Sequence, residues 1–113
     1  MIAQGDVWWA DFGEPVGSQP GYRRPVVIVQ GDALNRSAIA TVVCVPLTRN
    51  QRWALAKGNV SLSARVTSLP EDSVAVTAQI TTLDKAQLLE HVGRLPEKHL
   101  AQVLRGLDTI LGR

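Results

Sequence analysis

The run Pro25-Val-Val-Ile-Val-Gln30 constrains the chain most. Its apolar residues are contiguous rather than alternating, so a strand built from them is covered on both faces. A polar loop, Gly17-Ser-Gln-Pro-Gly-Tyr-Arg-Arg24, feeds it. Pro25 restricts Arg24 to an extended backbone, which holds Arg24 at the strand entrance beside the core. A guanidinium fixed there makes a good anion site, because it is always charged and presents a rigid fork of donors. From this stretch alone, a solvated arginine in a turn fits as well.

The rest of the chain repeats the strand signal. Residues 5–12 carry Val7, Trp8, Trp9 and Phe12 and read as a first strand. Gly13, Pro15, Gly17, Pro20 and Gly21 make the long loop up to Arg24, of the kind that tends to be functional. Residues 25–30 are the second strand and residues 39–47 the third, ending at Pro46-Leu47-Thr48. Residues 58–62 are a short strand. Residues 73–80 alternate as one further strand, with Val74, Val76, Ala78 and Ile80 on one face and Ala75, Thr77 and Gln79 on the other. Asp84-Lys-Ala-Gln87 is a capping-box start for a short helix, which gives way near Val92-Gly93-Arg94. Pro96-Glu97 opens a final helix whose stripe is Leu100, Val103, Leu104, Leu107, Ile110 and Leu111, with Gly112 ending it. Strands come first and helix last, without strand–helix–strand alternation. The expected fold is mainly β with a C-terminal helix: an antiparallel sheet or small barrel rather than a doubly wound sheet.

The 113 residues suit one domain, residues 1–113. A net charge of +2 and a pI near 9.1 allow nucleic acid without making the chain a polycation. The single cysteine, Cys44, sits in an apolar strand and reads as core filler. It cannot pair within the chain, which fits a reducing cytoplasm. No leader or membrane-length apolar run is visible.

No metal constellation appears, and the sequence implies no cofactor. His91 and His99 both fall in the helical end and read as structural, and the serines lack a nucleophile-elbow setting. Arg49, Arg52 and Lys57 surround Trp53, a pattern that suits single-stranded nucleic acid, with cations on phosphates and the ring on a base. A polar loop pinned by one tryptophan fits the same residues. Cleavage of RNA needs none of the missing parts, because RNA carries its own nucleophile, the 2′-hydroxyl. An arginine can stabilise charge on the phosphoryl oxygens, and a threonine hydroxyl can hold one of them.

Four blocks in order carry a family resemblance: Gly5-Asp-Val-Trp-Trp-Ala-Asp11, Val16-Gly-Ser-Gln-Pro-Gly-Tyr-Arg-Arg-Pro-Val-Val-Ile-Val-Gln30, Val43-Cys-Val-Pro-Leu-Thr48 and Gln79-Ile-Thr-Thr-Leu-Asp-Lys85. Together they resemble the MazF/PemK/Kid toxins of bacterial toxin–antitoxin pairs over essentially the whole chain. The resemblance implies an SH3-like small antiparallel barrel, a homodimer, and a metal-independent, sequence-specific endoribonuclease. That enzyme cuts single-stranded RNA to a 2′,3′-cyclic phosphate and a 5′-hydroxyl, and a cognate antitoxin with an acidic flexible segment inhibits it. The family's catalytic arginine falls on Arg24 and its catalytic threonine on Thr48, in Pro46-Leu47-Thr48, where Leu47 replaces isoleucine. Pro46 and Gln79 fall along the RNA groove, and Arg23 is at most a helper. Ser18 and Gln19 fall on the loop that closes over substrate, where Pro20 departs from the family pattern. The segment Arg49–Lys57, with Arg52 and Trp53, is expected to set sequence preference. A gyrase-poisoning toxin of the same fold and a plain SH3-like binding module are the competing readings.

Overall fold

The computed structural model describes residues 1–18 and 21–113. Strands β1 (Asp6–Asp11) and β2 (Arg23–Ile28) pair antiparallel, with Val7 opposite Val27 and Ala10 opposite Arg24. Strand β3 (Thr41–Thr48) flanks β2 on its other side. This central position is what the contiguous apolar run implies, and Val26, Val27 and Ile28 are wholly buried. Successive strand residues point to opposite faces. Val27 and Val29 therefore join one core cluster, and Val26 and Ile28 join another. Each such burial contributes about 1.5–3 kcal/mol, so β2 anchors both layers at once.

The first cluster lies between the sheet and the C-terminal helix and includes Val45, Leu47, Leu62, Val103 and Leu107. The second lies on the opposite face and holds Ala10, Val42, Cys44 and Leu83, with Trp8, Phe12 and Leu88 packed on it. Between β2 and β3 a one-turn helix α1 (Asp32–Asn35) replaces the expected irregular connection. After β3 come a 3-10 turn over Gln51–Leu55, strand β4 (Val60–Leu62), one-turn helix α2 (Ala64–Thr67) and strand β5 (Ser73–Ala75).

The expected single strand over residues 73–80 is two strands. β5 and β6 (Thr81–Asp84) both run along β3, but out of step with each other. Continuing from Leu47↔Ala75 would set Ala78 opposite Cys44, yet Thr81 is there. The surplus turns out as a 3-10 segment, Thr77–Gln79. Thr77 is buried, and its hydroxyl donates to the Gly58 carbonyl at 2.8 Å, so this residue anchors the loop.

The capping box at Asp84 forms as its spacing implies. Asp84 accepts from Ala86 N at 2.9 Å, and Gln87 Oε1 accepts from Asp84 N at 2.8 Å. It starts only a 3-10 turn, Lys85–Gln87, before strand β7 (Leu88–Arg94) takes over along β1. His91 therefore lies on a strand, not in the helical end. Helix α3 (Glu97–Ile110) follows Pro96 and buries Val103 and Leu107.

All ladders are antiparallel, and the strand path runs β4-β5-β3-β2-β1-β7, with β6 also on β3. The mainly β fold with a C-terminal helix is as expected. The barrel is not closed by hydrogen bonds: among the described residues no ladder joins β4 to β7. Helix α3 packs on β4 and α2 on β7, so helices cover the two ends of the sheet.

Candidate active site

The β2/β3 ladder stops at Val26↔Pro46. Pro25 and Pro46 lack the backbone donors that would extend it. Extended two residues past its last pair, that register sets Arg24 opposite Thr48 on the same face. Each stays fixed by its outer neighbour, Arg24 by Ala10 on β1 and Thr48 by Val74 on β5. Where the strands part there is a cavity of about 650 Å³, lined by Trp9, Tyr22, Arg23, Arg24, Thr48, Arg49, Glu71 and their neighbours.

The two adjacent arginines differ in their surroundings. Arg23 is exposed; its guanidinium lies 4.6 Å from the centre of the Trp9 ring and 3.6 Å from Glu90. Arg24 is half-buried, and among the described residues only its Nε is engaged, by the Gly21 carbonyl at 3.4 Å. Thr48 Oγ1 accepts from Asn50 N at 3.2 Å, which leaves its hydroxyl proton free to donate. Arg49 makes an ion pair of 2.7 Å with Glu71. Hydrogen bonding to Glu71, and then its charge, raises the Arg49 guanidinium above its ordinary value. Glu71 is the one carboxylate among the described residues that line the cavity, and its pairing offsets Arg49 in the free protein.

The remaining candidates are dispersed. Ser18 and Gln79 line a second cleft of about 410 Å³ with Phe12 and Val16, on different residues from the Arg24 cavity. Gln19 lies outside the described residues. Pro46 is buried, with its carbonyl accepting from Val76 N at 3.0 Å; it ends the ladder and cannot offer a surface to RNA. Arg52 and Trp53 sit exposed on the 3-10 turn, outside both clefts.

The residues read as structural are bound into the fold. Cys44 is fully buried, and burial pushes its thiol up to about 12. Asp6 is buried, accepts from Ala3 N at 2.9 Å and Arg94 Nε at 3.0 Å, and lies 3.5 Å from His91 Nε2. His91 thus helps tie β7 to the start of β1. His99 is half-buried, with a buried Nδ1 that no described group reaches. Among the described residues no three His, Cys, Asp or Glu side chains gather as a metal-binding set, and no helix is long and apolar enough to cross a membrane.

Sequence reading missed Glu71 and Tyr22. Glu71 was visible only as part of the turn signal Pro70-Glu71-Asp72. Tyr22 was visible as the one aromatic in a Gly- and Pro-rich loop.

Residues 3–111 match the family model described as PemK-like, MazF-like toxin of type II toxin–antitoxin system. The chain is 43% identical over 111 residues to endoribonuclease MazF6 of Mycobacterium tuberculosis, covering 98% of this chain and 97% of that one. It is 38% identical over 112 residues to endoribonuclease MazF of Staphylococcus epidermidis, covering 99% and 92%. Its structure is similar to a mycobacterial endoribonuclease in complex with its cognate antitoxin, with a TM-score of 0.80, 27% identity, and 99% and 96% of the chains covered. The fold also matches MazF from Deinococcus radiodurans, with a TM-score of 0.83, 23% identity, and 99% and 97% covered.

Proposed function

The chain belongs to the PemK-like, MazF-like toxin family of type II toxin–antitoxin systems, and from that premise we propose that it is a sequence-specific endoribonuclease acting on single-stranded RNA in the bacterial cytoplasm. The observation that carries the reading is that Arg24 and Thr48 line one cavity just beyond the last pair of the β2/β3 ladder.

The reaction is attack of the ribose 2′-oxygen on the adjacent phosphorus. The bond to the 5′-oxygen breaks, the 2′ proton is lost and the leaving 5′-oxygen gains one. The products are a 2′,3′-cyclic phosphate and a 5′-hydroxyl. Negative charge builds on the nonbridging oxygens, which Arg24 stabilises with its fork while Thr48 donates its hydroxyl to one of them. No divalent ion takes part. Arg23 and Arg49 hold neighbouring phosphates. Arg52, Trp53, Ser18, Gln19 and Gln79 contact the flanking strand, and the 3-10 segment with Arg52 and Trp53 tunes the sequence preference.

The toxin works as a homodimer and is silenced by an antitoxin whose acidic, disordered segment folds across the cavity. A long RNA incubated with the protein in EDTA should be cut at defined positions with cyclic-phosphate ends. The same RNA with deoxyribose at a mapped cut site should survive there. A strict need for divalent metal, or normal cutting of the deoxyribose substrate, would overturn the mechanism.

A further inference from the structure

Tyr22 is the residue in this region whose conformation local folding needs explain least. It takes φ 59°, in the left-handed region, where a bulky L-residue is an outlier. The other non-glycine residue there, Ser68, caps helix α2 and donates its backbone N–H to Ala64, a common duty at a helix end. Tyr22 caps nothing. Its backbone closes the base of the long loop: Phe12 N donates to its carbonyl at 2.8 Å, and its own N–H donates to the Gly13 carbonyl. Glycine would make those two bonds without conflict. The residue is 65% exposed, so packing does not account for it either. Yet the residue lines the same cavity as Arg24 and Thr48, directly before the two arginines.

We propose that Tyr22 is a base-stacking platform, positioning the nucleotide beside the scissile phosphate by laying its ring against the base. This rests on the nuclease reading above. A single strand of RNA unstacks its bases readily, and an aromatic face next to cations is what receives them. The platform sets affinity and placement and leaves the chemistry to Arg24 and Thr48.

The test compares wild type with Tyr22→Phe, Tyr22→Ala and Tyr22→Gly in three measurements. These are thermal melting, binding of a mixed-sequence 2′-O-methyl oligonucleotide that cannot be cut, and single-turnover cleavage of one long RNA. Tyr22→Phe should match wild type throughout. Tyr22→Gly should melt higher than wild type, because glycine relieves the backbone. It should nonetheless bind the oligonucleotide about 5- to 150-fold more weakly, the range of one lost base stack. Tyr22→Ala should show the same weakening. At enzyme concentrations below the dissociation constant both should cleave the RNA more slowly by a similar factor, while Tyr22→Phe does not. Equal oligonucleotide binding by wild type and Tyr22→Gly would overturn the proposal. So would a Tyr22→Gly variant that melts lower and binds weakly, since that pattern belongs to a structural tyrosine. Absence of cleavage by wild type would instead sink the nuclease reading, while the binding comparison still decides the role of Tyr22.

Discussion

Arg23 and Arg24 carry equal charge one residue apart, so charge alone would make them interchangeable. Their contacts separate them: Arg23 lies against the Trp9 ring and Glu90, while Arg24 lines the cavity together with Thr48. Arg24→Ala should lower single-turnover cleavage on the order of 10³-fold or more. Arg24→Lys should lose nearly as much, since an ammonium lacks the fork. Arg23→Ala should mainly weaken binding, by about 0.7 of a unit of salt slope at most. Thr48→Ser should keep much of the activity that Thr48→Ala loses. Equal losses at Arg23 and Arg24, with folding checked by circular dichroism, would reduce the site to a basic patch. Cys44 offers a test at the opposite extreme of burial. With its thiol held to about 12 against an ordinary 9.0, native protein at pH 8 should resist iodoacetamide that modifies it in guanidinium. The folded state keeps the proton that the unfolded state releases. Cys44 therefore costs no stability below pH 9, and stability should fall as pH rises from 9 toward 12. Cys44→Ala should be less stable but lack that part of the slope.

At the level of elements, α3 packs tightly on the turn before β4. A Cβ on Gly106 would overlap the Gly58 carbonyl and press on the Thr77 side chain. Replacing a helix-interior glycine by alanine ordinarily gains about 1 kcal/mol. Here the obstacle is backbone, and overpacking of that kind costs about 1–3 kcal/mol. Gly106→Ala should therefore melt lower by roughly 4–8 °C; a rise would show that the helix does not sit so close. Nothing in the sequence marked that contact, because it depends on which loop α3 meets. The same limit explains the other misreadings. The alternation over residues 73–80 is real, but only β3 decides that pairing lapses for Thr77–Gln79. The Asp84 capping box was legible and forms, whereas its length was not, because β7 gains its pairing from β1. Strand β2 was legible at once, since a contiguous β-branched run declares two buried faces without help from its neighbours. Arg24 and Thr48 were legible as motif residues, and their juxtaposition follows from the β2/β3 register. Tyr22 and Glu71 were not, because their significance lies in the cavity they share.

For the whole molecule, the balance of 12 basic and 10 acidic residues gives a net charge of only +2, too little to draw RNA by bulk charge. The attraction must come from where the arginines stand. Three of them line the cavity with one carboxylate, and Glu71 already offsets Arg49. Glu90, outside that lining, holds Arg23 only by an exposed 3.6 Å contact, which leaves about two phosphates' worth of charge for RNA. Each phosphate neutralised on a single strand contributes about −0.7 to the slope of log affinity against log salt, so wild type should show a slope of roughly −1.4. Glu71→Gln releases Arg49 and should steepen the slope to roughly −2 while tightening binding at low salt. Fluorescence anisotropy of a labelled 2′-O-methyl oligonucleotide across a salt series would measure both. An unchanged slope in Glu71→Gln would mean that Arg49 does not reach RNA, and a much steeper wild-type slope would place phosphates beyond this cavity. On the proposed function an acidic antitoxin segment would compete for the same arginines, and its grip should then loosen over the same range of salt. Glu71→Gln should bind that segment more tightly as well, because the substitution removes the carboxylate paired with Arg49.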